Sequence, residues 1–565
     1  MTTRTLKILI IGGYGTFGGR IAHLLSDNAH LEIVIAGRSA DKADKFTRGL
    51  AGQTRFSTSA VDRNAALDKS IAHIRPDVLI DASGPFQAYG NNPYHVVESA
   101  IASGVNYIDL ADDPAFVSGI SRYTQAAIDA DVFVLSGVST CPALTGAVFR
   151  RIARDFESID YVEGGIAPSP YSGVGLSVIR AIAAYAGQEI SIIEGNQRVA
   201  AYPFTEPRRF TIAPPGSLPV RSLQFSLVDV PDLHLLGDKK RPAANVWFGA
   251  APVPAIFHAA LRVLARAVKR GLLPTLAPLA RPMFEVMKRF SWGEHRGGLF
   301  LECRGLDSAG KQLARSWHLV AEGSTGPMTP ALATVAIIQR IQEGTPPPPG
   351  ARAAHEELEL EDFEPLLRNL DVQFGERETP VPDSWPLFRR VLGSAWTSLP
   401  RPIATLHEFD RQQSYAGRAT VTRGRSIVAR IAARLIGFPV SGEYVPVVVG
   451  MEVENGVETW CRNFDGHRFS STMTEGADSW AHLVCERFGP FRFGIALVLD
   501  DDKLHYVIRR WSFAGISMPL FLRPKGLVYE FVKDGRFRFH VELSFPLLGH
   551  IVTYSGWLAA QSSAS

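Results

Sequence analysis

Residues 7–39, KILIIGGYGTFGGRIAHLLSDNAHLEIVIAGRS, constrain the fold more than any other stretch of the chain. An apolar run, 7–11, enters a glycine loop. An amphipathic segment with Ile21, Leu24 and Leu25 on one side follows, and a second apolar run, 31–36, ends in Gly37-Arg38-Ser39. That order reads strand, tight turn, helix, strand, the unit that binds a dinucleotide in doubly wound α/β sheets. In it Gly13 permits the turn, Gly15 lets the backbone approach a pyrophosphate, and Gly18 lets helix and strand pack closely. The pyrophosphate would rest at the helix N-terminus, where free N–H groups and the helix dipole favour negative charge. A bare GxGxxG also occurs in purely structural turns. Its meaning here comes from its place after a strand and before a helix, with the second strand ending about 20 residues on.

A site for NAD would carry Asp or Glu at that second strand end, to bind the ribose 2′-OH. The chain instead reads Ala36-Gly37-Arg38-Ser39. Arg38 can pair with a 2′-phosphate, assisted by the Ser39 hydroxyl, so NADP is favoured over NAD. The competing reading of Arg38 is a solvated loop arginine.

Alternation continues through residue 150, with strands expected at 56–61, 77–83, 107–111 and 132–136 and helices at 93–102 and 119–129. Ligands of such sheets bind at the carboxyl ends of the strands. After the third strand, Asp62 either accepts from an adenine amino group or caps a helix over 64–73. After the fourth comes Asp81-Ala82-Ser83-Gly84-Pro85-Phe86-Gln87-Ala88-Tyr89-Gly90, whose small residues let the main chain lie against a ligand. The fifth strand ends in Asp109-Leu110-Ala111-Asp112-Asp113-Pro114, a pocket wall or a helix cap. The sixth ends in Gly137-Val138-Ser139-Thr140-Cys141-Pro142, where Cys141 is expected as a packing residue.

Together GGYGTFG, AGRS, DASGPFQAYG, NYIDLADD and GVSTCPAL resemble the saccharopine dehydrogenase-like family of NADP-binding reductases; the GPF-x-x-YG loop is the most specific of them. Trp317-His318-Leu319, Glu322-Gly323 and Gly326-Pro327-Met328-Thr329-Pro330-Ala331 resemble that family's return segment, ahead of a helix at 331–343. The resemblance covers about residues 5–375. It implies a Rossmann nucleotide domain (1–150) with an inserted α+β substrate or dimerisation domain (151–343) that returns by the helix. It also implies that Gly13, Gly15, Thr16, Phe17 and Gly18 cradle the pyrophosphate, that Arg38 and Ser39 bind the 2′-phosphate, and that Ser83, Gly84 and Pro85 approach the nicotinamide ribose. Substrate recognition does not carry over. Saccharopine needs several basic anchors, whereas 160–320 offers Tyr171, Arg180, Tyr185, Arg198 and His318.

Residues 344–385 hold Thr345-Pro346-Pro347-Pro348-Pro349-Gly350 and the acidic run 355–364, which read as a stiff spacer. From 386 to 565 the pattern changes to alternating strands at 445–453, 458–464, 467–472, 491–499, 503–510, 526–533 and 536–545, with Asp465-Gly466 and Asp534-Gly535 as hairpin turns. This predicts an antiparallel curved sheet, a half-barrel around a cavity that Trp460, Phe464, Phe469, Phe488, Phe491, Trp511, Phe537, Phe539 and Trp557 would line; a solid core is the default alternative. Leu406-His407-Glu408-Phe409-Asp410, Gly437-Phe438-Pro439, Arg487-Phe488-Gly489-Pro490 and Gly556-Trp557 resemble an uncharacterised C-terminal domain family often fused behind such reductases. His407, Glu408 and Asp410 are spaced too irregularly for a metal motif, and no metal is expected.

The net charge of +3 implies no nucleic-acid partner, and four dispersed cysteines suit reduced thiols in a cytoplasmic protein. The first apolar run is too short for a signal peptide. Residues 242–261 carry no formal charge but are broken by Pro242, Pro252 and Pro254; 262–289 is basic with interspersed apolar residues. That segment is either a core helix with a solvated basic face or a peripheral contact with an anionic membrane. A homodimer is compatible with the chain. Two functions of different class compete. One is an NADP-dependent oxidoreductase moving a hydride to or from a small carbonyl, imine or amine substrate, with Asp112 and Tyr171 as candidate acids and no assigned catalytic residue. The other is a non-catalytic nucleotide-binding protein that carries an apolar ligand at a membrane surface.

Overall fold

The computed structural model describes residues 5–65, 67–237, 242–323, 325–379, 384–409, 411–546 and 548–561; Asp410 lies outside them. The chain forms two compact units, Met1–Arg208 with Gln224–Gln373, and Arg209–Leu223 with Phe374–Ser565.

In the first unit, β1 (Leu6–Ile11), β2 (Leu31–Gly37), β3 (Arg55–Ala60), β4 (Val78–Asp81), β5 (Asn106–Asp109) and β6 (Phe133–Ser136) are all parallel, in the order 6-5-4-1-2-3. Ile8, Leu9 and Ile10 are wholly buried, because helices cover both faces and leave no polar side to β1. The helices α1 (Thr16–Leu24), α2 (Ala40–Thr47) and α3 (Leu67–Ile74) follow the first three strands. The return helix runs Thr329–Gln342, as the sequence pattern implied within two residues.

Residues 344–385 are more than a spacer. Gly350–Ala353 adds a seventh parallel strand beside β6, and Leu360–Asn369 is a helix whose Glu359 and Asp362 form a capping box. Arg150 holds this segment by the carboxylate of Glu359 and the carbonyls of His355 and Leu358. The acidic run is therefore a capped and clamped helix rather than a solvated tract.

The inserted domain's sheet runs Leu223–Leu227, Ala243–Ala250, Phe156–Ala167, Arg296–Asp307, Gln312–Glu322. Phe156–Ala167 is parallel to Ala243–Ala250 and antiparallel to Arg296–Asp307, so the sheet is mixed. The basic segment forms two helices, Ala255–Lys269 and Ala280–Arg289. His258, Leu261, Ala265 and Val268 make the buried face of the first, while Arg266 and Lys269 face solvent. Among the described residues no helix is long and apolar enough to cross a membrane.

The second unit is a closed antiparallel barrel of ten strands. In ring order these are Phe491–Asp500, Val484–Phe488, His467–Glu475, Val457–Phe464, Gly442–Glu454, Gln412–Arg423, Gly549–Ala560, Arg536–Phe545, Val528–Lys533 and Lys503–Phe513, which pairs back to the first. Gln412–Arg423, Val484–Phe488 and Gly549–Ala560 escaped the sequence reading, and with them full closure rather than a half-barrel. Bulges at Gly494/Ile495 and Leu543/Ser544 add the local bend that closure requires. The two anticipated turns take left-handed conformations at both central residues, Asp465 (φ 49°) with Gly466 (φ 88°) and Asp534 (φ 55°) with Gly535 (φ 71°).

Candidate functional site

The first glycine loop is built differently in one detail from the fingerprint reading. Gly12, not Gly13, takes the left-handed backbone, with φ 76°. A Cβ on Gly12 would also stand 2.7 Å from the Ala82 carbonyl oxygen. Gly13 is held instead by space, since its Cβ would lie 2.9 Å from the Ile10 oxygen and 3.1 Å from Ile35 Cγ2. Gly15 meets only Gly12, so its outer side is open to a ligand, and it stands at the N-cap of α1 without a side-chain cap. That leaves the first N–H groups of α1 without helical partners. Gly18 is the packing glycine: a Cβ there would be 2.4 Å from the Gly12 oxygen. Thr16 and Phe17 line the large cavity described below.

At the end of β2, Arg38 is exposed and makes no hydrogen bond or ion pair among the described residues. Ser39 is used as a helix cap, its Oγ accepting from Lys42 N at 3.4 Å. Its own N–H donates to Tyr14 Oη at 3.1 Å. The Tyr14 ring lies across Gly37, where a Cβ would come within 2.6 Å of it. Tyr14, which drew no notice in the sequence, thus braces the strand end that presents Arg38. The exposed Arg38 guanidinium thus stands beside the N-terminus of α2, whose first turn also carries Asp41.

The loop after β4 is shaped from within. Ser83 Oγ donates to Asp81 Oδ1 at 2.6 Å, and Tyr89 Oη donates to Asp81 Oδ2 at 3.1 Å. Asp81 is wholly buried and its carboxyl is pushed up by burial. The Ser83 hydroxyl is therefore engaged inward, and what Ser83, Gly84 and Pro85 offer outward is main chain; the Gly84-Pro85 peptide is cis. The Arg63 guanidinium stacks 3.3 Å over the Tyr89 ring. Asp62 is exposed and closes a turn on Asn64 N at 3.0 Å; the following helix starts only at Leu67, so the helix-cap reading of Asp62 fails.

Asp109, at the end of β5, accepts from Ala111 N, Gly137 N and Ser136 Oγ at 2.9–3.0 Å and ties β5 to the turn after β6. Its full burial raises the carboxyl to about 7 despite those bonds. Cys141 is buried, and burial together with the nearby Asp232 carboxyl pushes its thiol well up, which makes it a packing residue rather than a thiolate.

A cavity of about 760 Å³ opens between the glycine loop and the inserted domain, all within the first unit. Its walls are mainly apolar: Val178, Ile182, Phe248, Met283, Phe284 and Leu319 are among them. Arg20, Lys288, Asp112 and Asp229 are the charged groups on it, with Gln87, Tyr171 and Tyr185 as polar company. Of the five anchors expected from sequence, Tyr171 and Tyr185 reach this cavity. Arg180, Arg198 and His318 do not; His318 is buried in the sheet against Ser316 Oγ at 2.9 Å.

Asp112 faces the cavity and accepts from Gln87 Nε2 at 3.1 Å. It is exposed on the cavity wall, and the partial desolvation there raises its pKa. Asp229 sits opposite in the chain, just beyond the strand Leu223–Leu227. Burial first, then the like charges of Asp113 and Asp112, raise it to about 6. Sequence reasoning missed Asp229, because nothing in Leu227-Val228-Asp229-Val230 marks it apart from its place after a strand.

Residues 8–135 match the family model of the saccharopine dehydrogenase NADP binding domain, and residues 399–558 match a domain of unknown function, DUF4166. No curated protein matches the chain. Among solved structures, the saccharopine dehydrogenase (L-Glu forming) of Saccharomyces cerevisiae is similar at 14% identity and TM-score 0.45, over 66% of this chain and 100% of that one. A meso-dapdh mutant from Clostridium tetani is similar at 13% identity and TM-score 0.32, over 64% and 99%. The WlbA dehydrogenase of Thermus thermophilus, solved with NAD and alpha-ketoglutarate, is similar at 11% identity and TM-score 0.29, over 63% and 94%. The chain thus joins a nucleotide domain of the saccharopine dehydrogenase NADP-binding family to a C-terminal DUF4166 domain.

Proposed function

We propose that the first unit is an NADP-dependent oxidoreductase acting on an uncharged, largely apolar carbonyl or imine compound. The observation that carries this reading is the cavity of about 760 Å³, which begins at Thr16 and Phe17 of the glycine loop and continues into apolar walls of the inserted domain. Bound NADPH would supply the hydride. The chain's own part is to hold the coenzyme, exclude water and deliver a proton. Gly13, Gly15 and Gly18 with the N-terminus of α1 suit the pyrophosphate, and Arg38 suits the 2′-phosphate. Asp229, raised to about 6, is still partly protonated near neutrality and fits a general acid for the oxygen or nitrogen that gains charge as hydride adds. Asp112 and Tyr185 are its neighbours in the cavity. Several substrate carboxylates would find only Arg20 and Lys288 opposed by two acids, which argues against an amino-dicarboxylic substrate.

The test is NADPH oxidation by the purified full chain, followed at its near-ultraviolet absorbance, against long-chain aldehydes, ketones and imines beside short α-keto acids. Turnover of the apolar compounds with little of the keto acids is expected. Faster turnover of the keto acids would overturn the substrate class, and absence of coenzyme binding would overturn the oxidoreductase itself.

A further inference from the structure

The barrel of the second unit is hollow. Along each strand alternate residues point inward: Val447, Val449 and Met451 on one, Phe469, Ser471 and Met473 on another, Phe537, Phe539 and Val541 on a third. Ten strands enclose more room than side chains of this size fill, and a cavity of about 740 Å³ remains. Seven of the nine aromatics expected to line it do so, from Trp460 to Phe539; Trp511 and Trp557 do not. A void of this size with apolar walls is not held open by water, and its volume is that of pockets that take small organic ligands.

Two groups of charged side chains inside are paired among themselves. Glu530 Oε1 accepts from Tyr506 Oη at 2.7 Å, and its Oε2 lies 2.8 Å from His407 Nε2. The Arg462 guanidinium is stacked near Trp460, Phe469 and Phe488. It donates to Ser471 Oγ at 2.9 Å and stands 3.6 Å from Glu486. Each buried charge therefore has a partner, and no interior cation is spare. A carboxylate or phosphate pushed to the inner end would meet Glu530 and Glu486. The Tyr506 hydroxyl gives its proton to Glu530; its oxygen lies 3.4 Å from His407 Nε2 and keeps a lone pair for a donor from a ligand. Further cations, Arg523 and Lys525, lie on the loop before Val528, with the single carboxylate of Glu542 also on the lining.

We propose that the barrel is a binding chamber for one elongated apolar molecule with a single neutral hydrogen-bonding terminus, such as an alcohol, lodged against Tyr506. The site is separate from the nucleotide unit and does not depend on its chemistry.

The test titrates the full chain with 1-pyrenedodecanol, 1-pyrenedodecanoate and 1-dodecylpyrene, reading energy transfer from tryptophan to pyrene. Saturable binding of the alcohol is expected, with transfer that drops in Trp460→Phe. The alcohol should bind about five-fold tighter than the hydrocarbon, the worth of one neutral hydrogen bond. Tyr506→Phe should erase that difference and leave the hydrocarbon unchanged. Val541→Phe with Leu543→Phe, which fills the chamber from one wall, should weaken all three probes about ten-fold. Dodecanoate binding as tight as the alcohol would overturn the neutral terminus. No saturable binding, transfer untouched by Trp460→Phe, or binding untouched by the filled variant with unchanged circular dichroism, would overturn the chamber. Tyr506→Phe and Trp460→Phe decide the matter even where the filled variant fails to fold.

Discussion

The two units hold cavities of nearly equal volume, about 760 and 740 Å³, made in opposite ways. In the nucleotide unit the parallel sheet is solid, and the cavity lies beyond its strand ends among loops and helices. There Asp112 and Asp229 carry raised pKa values, and nearby in the same unit Arg38 makes no hydrogen bond or ion pair among the described residues. In the barrel the strands themselves are the wall. Their backbone is consumed by the ladder, and Glu530, Arg462 and Glu486 are bound to partners. The first arrangement leaves charged groups free to act on a ligand, whereas the second leaves shape and a few hydroxyls, that of Tyr506 among them. That contrast is the ground for proposing chemistry in one cavity and binding alone in the other.

The sharpest break between them is Gly18→Val. A side chain at Gly18 collides with the Gly12 oxygen, already 2.4 Å from a single Cβ, and no rotamer relieves a clash with main chain. Overpacking of this kind costs on the order of 3 kcal/mol, so coenzyme binding measured by titration calorimetry should vanish, while binding of 1-pyrenedodecanol persists. Loss of both would show that the units are not energetically separate. Next comes Asp229→Asn. If Asp229 donates the proton, kcat should fall by about 10²–10³-fold with coenzyme affinity unchanged. The wild-type rate should also decline as pH rises through about 6, where the acid form is lost. A variant that keeps both its rate and that pH profile would move the role to Asp112 or Tyr185.

These two residues also mark how far sequence reached. The βαβ unit and the six parallel strands were legible because apolar runs of strand length alternate with helical periodicity, and Gly18 was assigned its packing role from spacing alone. Which glycine makes the turn was not, because Gly12 and Gly13 are adjacent and only the approach of Ala82 and Ser83, some 70 residues on, singles out Gly12. Asp229 stayed hidden for a related reason: its raised pKa sums burial and two distant carboxyls, none visible in its neighbours. In the barrel, seven strands showed their alternation and the Asp-Gly turns their type. Closure depends on Gly549–Ala560 pairing with Gln412–Arg423, more than 120 residues earlier, which local pattern does not encode.

Arg38→Ala gives a smaller and more selective effect. The unpaired guanidinium offers a charge-assisted contact, so NADPH binding should weaken by ~1.5–3 kcal/mol while NADH binding barely changes. Equal losses for both coenzymes would return Arg38 to the status of a solvated loop residue and remove the case for NADP.

The smallest expected effect is on stability, and it follows from a wall group rather than a ligand group. Asp109 is raised to about 7 by burial, from an ordinary value near 3.8. A carboxyl with a raised folded pKa penalises the fold only when ionised. The penalty is therefore absent at low pH, grows as pH climbs from about 4 to about 7, and is constant above that. Asp232, also raised to about 7 by burial, adds in the same window. Asp109→Asn keeps an oxygen to accept from Ala111, Ser136 and Gly137 but cannot ionise. Its melting temperature relative to wild type should rise by a few degrees between pH 5 and pH 7 and then level off, in differential scanning calorimetry. The barrel's transition, where it is resolved, should not move with this substitution. A difference that is flat across that interval would mean that Asp109 is ionised throughout, held by its three donors against burial.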